Sequence, residues 1–308
     1  VGDLPAARAG ASRSGMMLSR RAKDNLVGLV FIGPQLIGML AFVIGPMVYA
    51  IGLSLYRWDL LSPPTFVGLG NYAEMIQNET FWKVMRNTSY YTLGYMALNI
   101  LTALGAALAL NRIRGKVFFR TLFFMPVVTS AIAVSLIWLW MLNPQFGVVN
   151  TFLRGMGIAE PPKWFSSTAW AMPGVILMSA WWNLGYNMVI LLAGLQSIPE
   201  SLYEAAMLDG ASRTQRFTHV TLPMLTPTLF FVVVVTFIGS FQVFDQIFIM
   251  TNGGPADATR VMVMYIYSLG FQRFDMGLAA AVAMVLFAIL LVMTLVQFRL
   301  QRRWVFYG

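Results

Sequence analysis

The chain has no cysteine and a single histidine, His219. The first absence excludes disulfides, thiolate metal sites and cysteine nucleophiles. The second excludes any two-histidine metal or proton-relay site. Charge is scarce as well. Only 11% of the 308 residues are Asp, Glu, Lys or Arg, against about a quarter in an ordinary soluble domain. No Gly-x-x-x-x-Gly-Lys-Ser/Thr loop is present, because Gly115-Lys116 lacks both the upstream Gly and a following hydroxyl residue. The chain therefore carries no phosphate-cradling loop of its own. The net charge of +9 is not gathered into a basic domain, so no nucleic-acid partner is expected.

Apolar residues fill the chain instead. They make up 58% of it, with a mean hydropathy of +0.69. Six stretches, uncharged apart from Asp245, lie at about 26–56, 87–111, 121–142, 171–196, 222–250 and 276–298. Each exceeds the roughly 20 residues that cross a bilayer as a helix. The sequence thus predicts an all-α polytopic membrane protein with six transmembrane helices. Pro34 and Pro46 predict a kink or tilt in the first. That stretch is too long for the apolar core of a signal peptide and has no clear cleavage site after it, so the tail 1–25 is expected to be retained.

Fourteen of the 21 Lys and Arg fall in the tail 1–25, in 111–120, in 197–221 and beyond 298. The positive-inside tendency places those segments and both termini in the cytoplasm. The domain reading is a cytoplasmic tail 1–25, one permease-like domain 26–300 with a cytoplasmic elbow 197–221, and a tail 301–308. The opposite segments 57–86, 143–170 and 251–275 carry turn chemistry such as Pro161-Pro162 and Asn252-Gly253-Gly254-Pro255. They are expected as short ordered loops.

The elbow has a helix–break–helix grammar. Ser197 to Glu200 has capping-box spacing, Gly210 breaks the chain, and Ser212 to Gln215 repeats the spacing. It exposes Glu204, Asp209, Arg213 and Arg216 beside small residues. Composition alone leaves two readings: an amphipathic loop lying on headgroups, or a plug for a protein cleft.

The same stretch resembles the Glu-Ala-Ala signature of ATP-binding-cassette importer permeases. It has Glu204-Ala205-Ala206, then Asp209-Gly210, then Val220-Thr221-Leu222-Pro223. Val220 stands where the family usually has Ile. "FRTLFFMPVV" (119–128), "FDQIFIMTNGGP" (244–255) and "MGLAAAVAMVLF" (276–287) resemble the sugar branch of that family. The likeness runs from about residue 27 to 300. It implies a type I importer fold in a bacterial inner membrane, in contact with lipid. It also implies a second homologous permease subunit, two separate ATPase subunits and an extracytoplasmic solute-binding protein. ATP and Mg would sit on the ATPase, with no cofactor on this chain and no catalysis by it. Glu204, Ala205, Ala206, Asp209, Gly210, Leu222 and Pro223 would then couple to the ATPase.

A solute pathway needs polar and aromatic groups on inner helix faces. The fourth stretch offers Trp182, Asn183, Tyr186 and Asn187, four apart in pairs, and the fifth offers Thr236, Ser240 and Asp245. Aromatic rings can stack on sugar C–H faces while amides and hydroxyls meet OH groups. The resemblance to maltose-type permeases marks Trp182, Asn183, Tyr186, Thr236, Gly239, Ser240 and Val243. Its third-helix counterparts here, Val127 and Ala131, are apolar, a departure from the family pattern. Asp245 is the one charge inside an expected span, either a solute contact or a structural polar partner. An ion-coupled carrier is the alternative of another class, and it rests on that single carboxylate.

Overall fold

The computed structural model describes residues 14–111, 113 and 115–306, with the side chains of residue 25 and of residues from 27 on. The expected cytoplasmic segments 1–13, Arg112, Arg114 and 307–308 lie outside the described residues. The chain falls into two compact units, Val1–Gly52 and Leu53–Gly308.

The first unit is a helix, α1 (Ser14–Met39), continued through a π-turn at Leu40–Ile44 into α2 (Gly45–Leu53). Pro46 explains the π-turn. It has no N–H, and its ring crowds the carbonyl four residues back. The wider turn absorbs the mismatch, with Gly45 N–H bonding to Leu40 O five residues back. The expected kink is therefore a local widening of a continuous helix. Val27–Leu53 is long and apolar enough to cross a membrane, and large side chains such as Phe31 and Phe42 are over 80% exposed. A helix apolar all round requires lipid or another helix as its surroundings.

The second unit opens with a hairpin, β1 (Tyr56–Arg57) and β2 (Thr65–Phe66), followed by α3 (Gly70–Gln77) and α4 (Glu79–Asn111). α4 begins eight residues before the expected span start at 87, with Asn78 Oδ1 accepting from Thr80 N at 2.9 Å. Lys83 and Arg86 had marked those residues as loop, but they are the projecting end of the helix.

The expected third span, 121–142, is not one rod. α5 (Lys116–Phe124) passes through a 3-10 turn at Met125–Val128 and breaks before α6 (Ala131–Met141), and the two halves are bent by 98°. Met125, ahead of Pro126, is still helical (φ -53, ψ -41), and the backbone leaves helical geometry at Thr129 and Ser130, with ψ of 144 and 136. α7 (Val148–Gly155) and a turn at Trp164–Ser166 lead to α8 (Ala171–Gln196).

The elbow holds α9 (Glu200–Leu208) and α10 (Arg213–Arg216), then a π-turn at Phe217–Thr221 runs directly into α11 (Leu222–Phe241). The fifth expected span, 222–250, ends nine residues early. Gln242, Val243 and Phe244 interrupt it, and α12 (Asp245–Met250) is a separate short helix. α13 (Met262–Tyr267) and α14 (Met276–Trp304) complete the chain. Among the described residues five helices are long and apolar enough to span, six if the bent α5–α6 pair is taken as one span.

Lipid removes most of the hydrophobic drive between helices, so close approach and polar contacts take over. At Gly185 on α8 a Cβ would stand 2.1 Å from Phe123 O, and at Gly194 one would stand 2.4 Å from Thr228 Oγ1. α8 thus packs backbone-close against α5 and α11. A hydrogen bond from Asn99 Nδ2 to Ala180 O (3.0 Å) joins α4 to α8.

Candidate functional site

Two places on the second unit carry the residues singled out above. The first is the elbow. Its capping differs from expectation at one end and matches at the other. Ser197 does not form a box. Its hydroxyl donates to Gly194 O at 2.8 Å, and Pro199 occupies the N-cap of α9 with no side-chain cap. At the other end Ser212 N donates to Gln215 Oε1 at 2.8 Å and Gln215 N donates to Ser212 Oγ at 3.3 Å, a complete capping box. Between them, Gly210 has φ +77. Ala211 N bonds to Ala206 O and Gly210 N to Met207 O, which is the Schellman closure that a left-handed residue permits. Glu204, Ala205, Asp209 and Gly210 are exposed and Ala206 is half-buried.

The elbow is fixed to α11. Tyr203 OH lies 3.0 Å from Thr221 Oγ1. The π-turn ahead of Pro223 repeats the logic seen at Pro46. Pro227 inside α11 deprives Pro223 O of its ordinary donor, and Thr226 Oγ1 supplies one at 2.6 Å. The same oxygen accepts from Phe306 N at 2.9 Å. Trp304 and Phe298 pack edge-on against Phe230. The end of α14 is thereby tied to the start of α11. Leu222 is exposed and Pro223 half-buried at this junction.

The second place is a cavity of about 200 Å³ between α4, α8 and α11. Asn183, Tyr186, Thr236, Gly239 and Ser240 line it, as expected. Three other candidates do not. Trp182 donates Nε1–H to Pro126 O at 2.8 Å, so its indole braces the α5–α6 bend. Val243 is packed within a hydrophobic cluster with Trp138 and Ile247. Asp245 lies beyond the end of α11. It opens α12, exposed, in the first turn, where a carboxylate is favoured by the helix dipole.

The sequence reading missed the α4 wall. Tyr91 and Tyr95 stack with planes 4° apart and both line the cavity. Their signal was present: Tyr91, Tyr95 and Asn99 are spaced four apart on one helix face. Gln246 also lines the cavity, donating to Tyr91 OH at 3.2 Å. At the elbow-side floor, Asn187 Nδ2 bonds both Asn99 Oδ1 and Thr236 Oγ1, pinning three helices with one amide. Asn187 Oδ1 is buried with no partner. Among the described residues no Asp, Glu, Lys or Arg lines the cavity. It offers phenols, amides and hydroxyls, a surface suited to hydroxylated solute. Among the described residues no group of three His, Asp or Glu could hold a metal.

The family model described as binding-protein-dependent transport system inner membrane component matches residues 99–305. The chain is 38% identical over 290 residues to the probable ABC transporter permease protein YesP of Bacillus subtilis, covering 92% of this chain and 93% of that one. It is 34% identical over 288 residues to the sn-glycerol-3-phosphate transport system permease protein UgpA of Agrobacterium fabrum, covering 92% and 98%. The fold is similar to that in the crystal structure of a bacterial ABC transporter involved in the import of the acidic polysaccharide alginate, with TM-score 0.81, 26% identity, and coverage of 93% of this chain and 99% of that one. A polytopic helical unit without a phosphate loop, a surface elbow with the Glu-Ala-Ala pattern and an uncharged cavity among its helices agree with these likenesses: the chain belongs to the family of binding-protein-dependent transport system inner membrane components, and is a permease subunit of an ATP-binding-cassette importer.

Proposed function

We propose that the chain forms one half of the translocation pathway of an importer for a sugar or related polyol, and that a separate ATPase moves it through Glu204 and its neighbours. One observation carries this reading. From Arg213 to Phe241 the backbone is one helical run, and its far part, Thr236, Gly239 and Ser240, is a wall of the cavity. Thr236 lies 23 residues beyond Arg213, about 35 Å along the axis at 1.5 Å per residue. A displacement applied at the elbow is delivered to the cavity by a rigid rod, which is rigid-body coupling.

The assembly consists of this subunit, a second homologous permease, two ATPase subunits holding ATP and Mg, and a solute-binding protein on the opposite face. The elbow and both termini are cytoplasmic, in keeping with the bias of Lys and Arg. The lining of phenols, amides and hydroxyls supports a polyhydroxylated solute. So do the relatives, one serving sn-glycerol-3-phosphate and one alginate. An ion-coupled carrier would place a titratable carboxylate in the cavity, and Asp245 is not there.

The test uses the purified complex in proteoliposomes with its solute-binding protein. Glu204→Arg and Gly210→Pro are expected to abolish ATP-dependent uptake while the subunits still reach the membrane. Undiminished uptake in both variants, or uptake driven by an ion gradient without ATP, defeats the proposal.

A further inference from the structure

A second cavity, of about 390 Å³, lies behind the elbow, between it and the ends of α4 and α8. This is within the 300–1,000 Å³ range of small-molecule sites. Its chemistry is divided. Leu108, Leu195 and Met207 form an apolar wall, and Glu200, Arg213 and Arg216 bring charges of both signs. Glu200, Tyr203 and Met207 are spaced three and four apart along one stripe of α9. Glu204 and Leu208 sit beside that stripe and do not line the cavity.

The charges here are unspent. The two ion pairs among the described residues are Arg57–Glu74 and Arg260–Asp257, both on other segments. Arg216 Nε is buried with no acceptor. A buried guanidinium N–H without a partner is costly, more so than a neutral donor. The site therefore calls for an oxyanion against the two arginines. Glu200 would repel a ligand that was only anionic. A ligand carrying both a phosphate and a hydrogen-bonding ammonium, joined to an apolar tail, satisfies every wall.

We propose that this cavity seats the headgroup of one phosphatidylethanolamine molecule from the bilayer. Its phosphate meets Arg213 and Arg216, its ammonium meets Glu200, and the start of its acyl chains lies along Leu108, Leu195 and Met207. Phosphatidylglycerol lacks the cation. Phosphatidylcholine has a quaternary ammonium that cannot donate to a carboxylate. The lipid sits under α9 and so sets the position of the elbow against α4 and α8. This inference rests on the reading that puts the elbow at the cytoplasmic membrane surface.

Native mass spectrometry of the purified complex in equal amounts of phosphatidylethanolamine, phosphatidylglycerol and phosphatidylcholine tests it. The wild type is expected to retain phosphatidylethanolamine about fivefold over the other two, the ratio that one net hydrogen bond gives. Glu200→Gln keeps an acceptor but loses its charge, so it should reduce the preference over phosphatidylcholine while phospholipid is still retained. Arg216→Gln should lower retention of all three. Arg213→Gln, on an exposed residue, gives the same readout if the Arg216 variant fails to fold. Retention blind to headgroup, or unchanged in Glu200→Gln and Arg213→Gln, overturns the proposal. So does equal thermal protection by soluble phosphoethanolamine, which would assign the cavity to a free ligand. Lipid retention is measured without transport, so a failure of the uptake reading would show separately, as absence of ATP-dependent uptake.

Discussion

Gly185 has no room for a side chain, and that fact separates packing from propensity. Alanine is the better helix former by about 1 kcal/mol. Yet a Cβ here would stand 2.1 Å from a backbone oxygen of Phe123, which cannot swing aside as a side-chain tip can. Overpacking of this kind costs about 1–3 kcal/mol. Gly185→Ala is therefore expected to lower the melting temperature of the purified protein, whereas Gly105→Ala, with nothing within 4 Å, leaves it unchanged or raises it. A fall of equal size in both would contradict the close crossing of α5 and α8. At this scale the sequence was partly legible. Asn183, Tyr186, Thr236 and Ser240 are polar residues in apolar runs, and they do line the cavity. Trp182 was grouped with them because an indole fits a sugar face; here its N–H meets a backbone carbonyl instead, that of Pro126, 56 residues away and beyond any local pattern.

Helices reveal themselves through composition, and breaks within helices do not. The run 121–142 is apolar throughout, whether the chain is straight or bent by 98°. Pro126 hinted at a boundary, but a proline in a membrane helix is often tolerated. The interruption at Gln242–Phe244 had no proline or glycine to announce it. The π-turn before Pro223 is the element most open to test. Pro223→Ala restores an N–H, so the wide turn can close to ordinary α geometry. Removing one residue from a turn rotates everything before it by about 100°. The expected outcome is a folded, equally or more stable protein in which ATP hydrolysis continues and solute uptake drops. The check is the ratio of uptake to hydrolysis in proteoliposomes, and an unchanged ratio refutes the idea that the π-turn sets elbow orientation.

For the second unit as a whole, one end is the elbow and the other is an ordered cap. Asn87 Nδ2 donates to Asp257 O at 2.8 Å and Arg260 O at 3.0 Å, and Lys83 Nζ donates to Ala256 O at 2.7 Å. These bonds fasten the segment after α12 onto the projecting end of α4. Met276 N donates to Trp58 O at 3.0 Å, and Asn71 Nδ2 donates to Ser54 O and Tyr56 O. The hairpin is thus held to α3 and to the start of α14. Asn87→Ala is expected to leave helix content intact and to raise amide hydrogen exchange across 251–260, as lost side-chain anchors expose a loop to local opening. Exchange unchanged there would show that the clamp is redundant. The segments 57–86, 143–170 and 251–275 were expected as ordered from their turn residues; within 143–170 the bonds are local, such as Trp164 Nε1 to Asn150 Oδ1, but those fastening 251–260 to α4 join residues about 170 positions apart, beyond the reach of any local pattern.

The tie between Phe306 and Thr226 has a practical consequence. Thr226 stands three residues past Pro223, on the rod that leads from elbow to cavity, and the chain contains no native thiol. A lone cysteine placed at Phe306 would give a single maleimide dye beside that rod. Under the proposed coupling, a second label on a partner ATPase would turn each stroke into a change of energy-transfer efficiency, observable one molecule at a time.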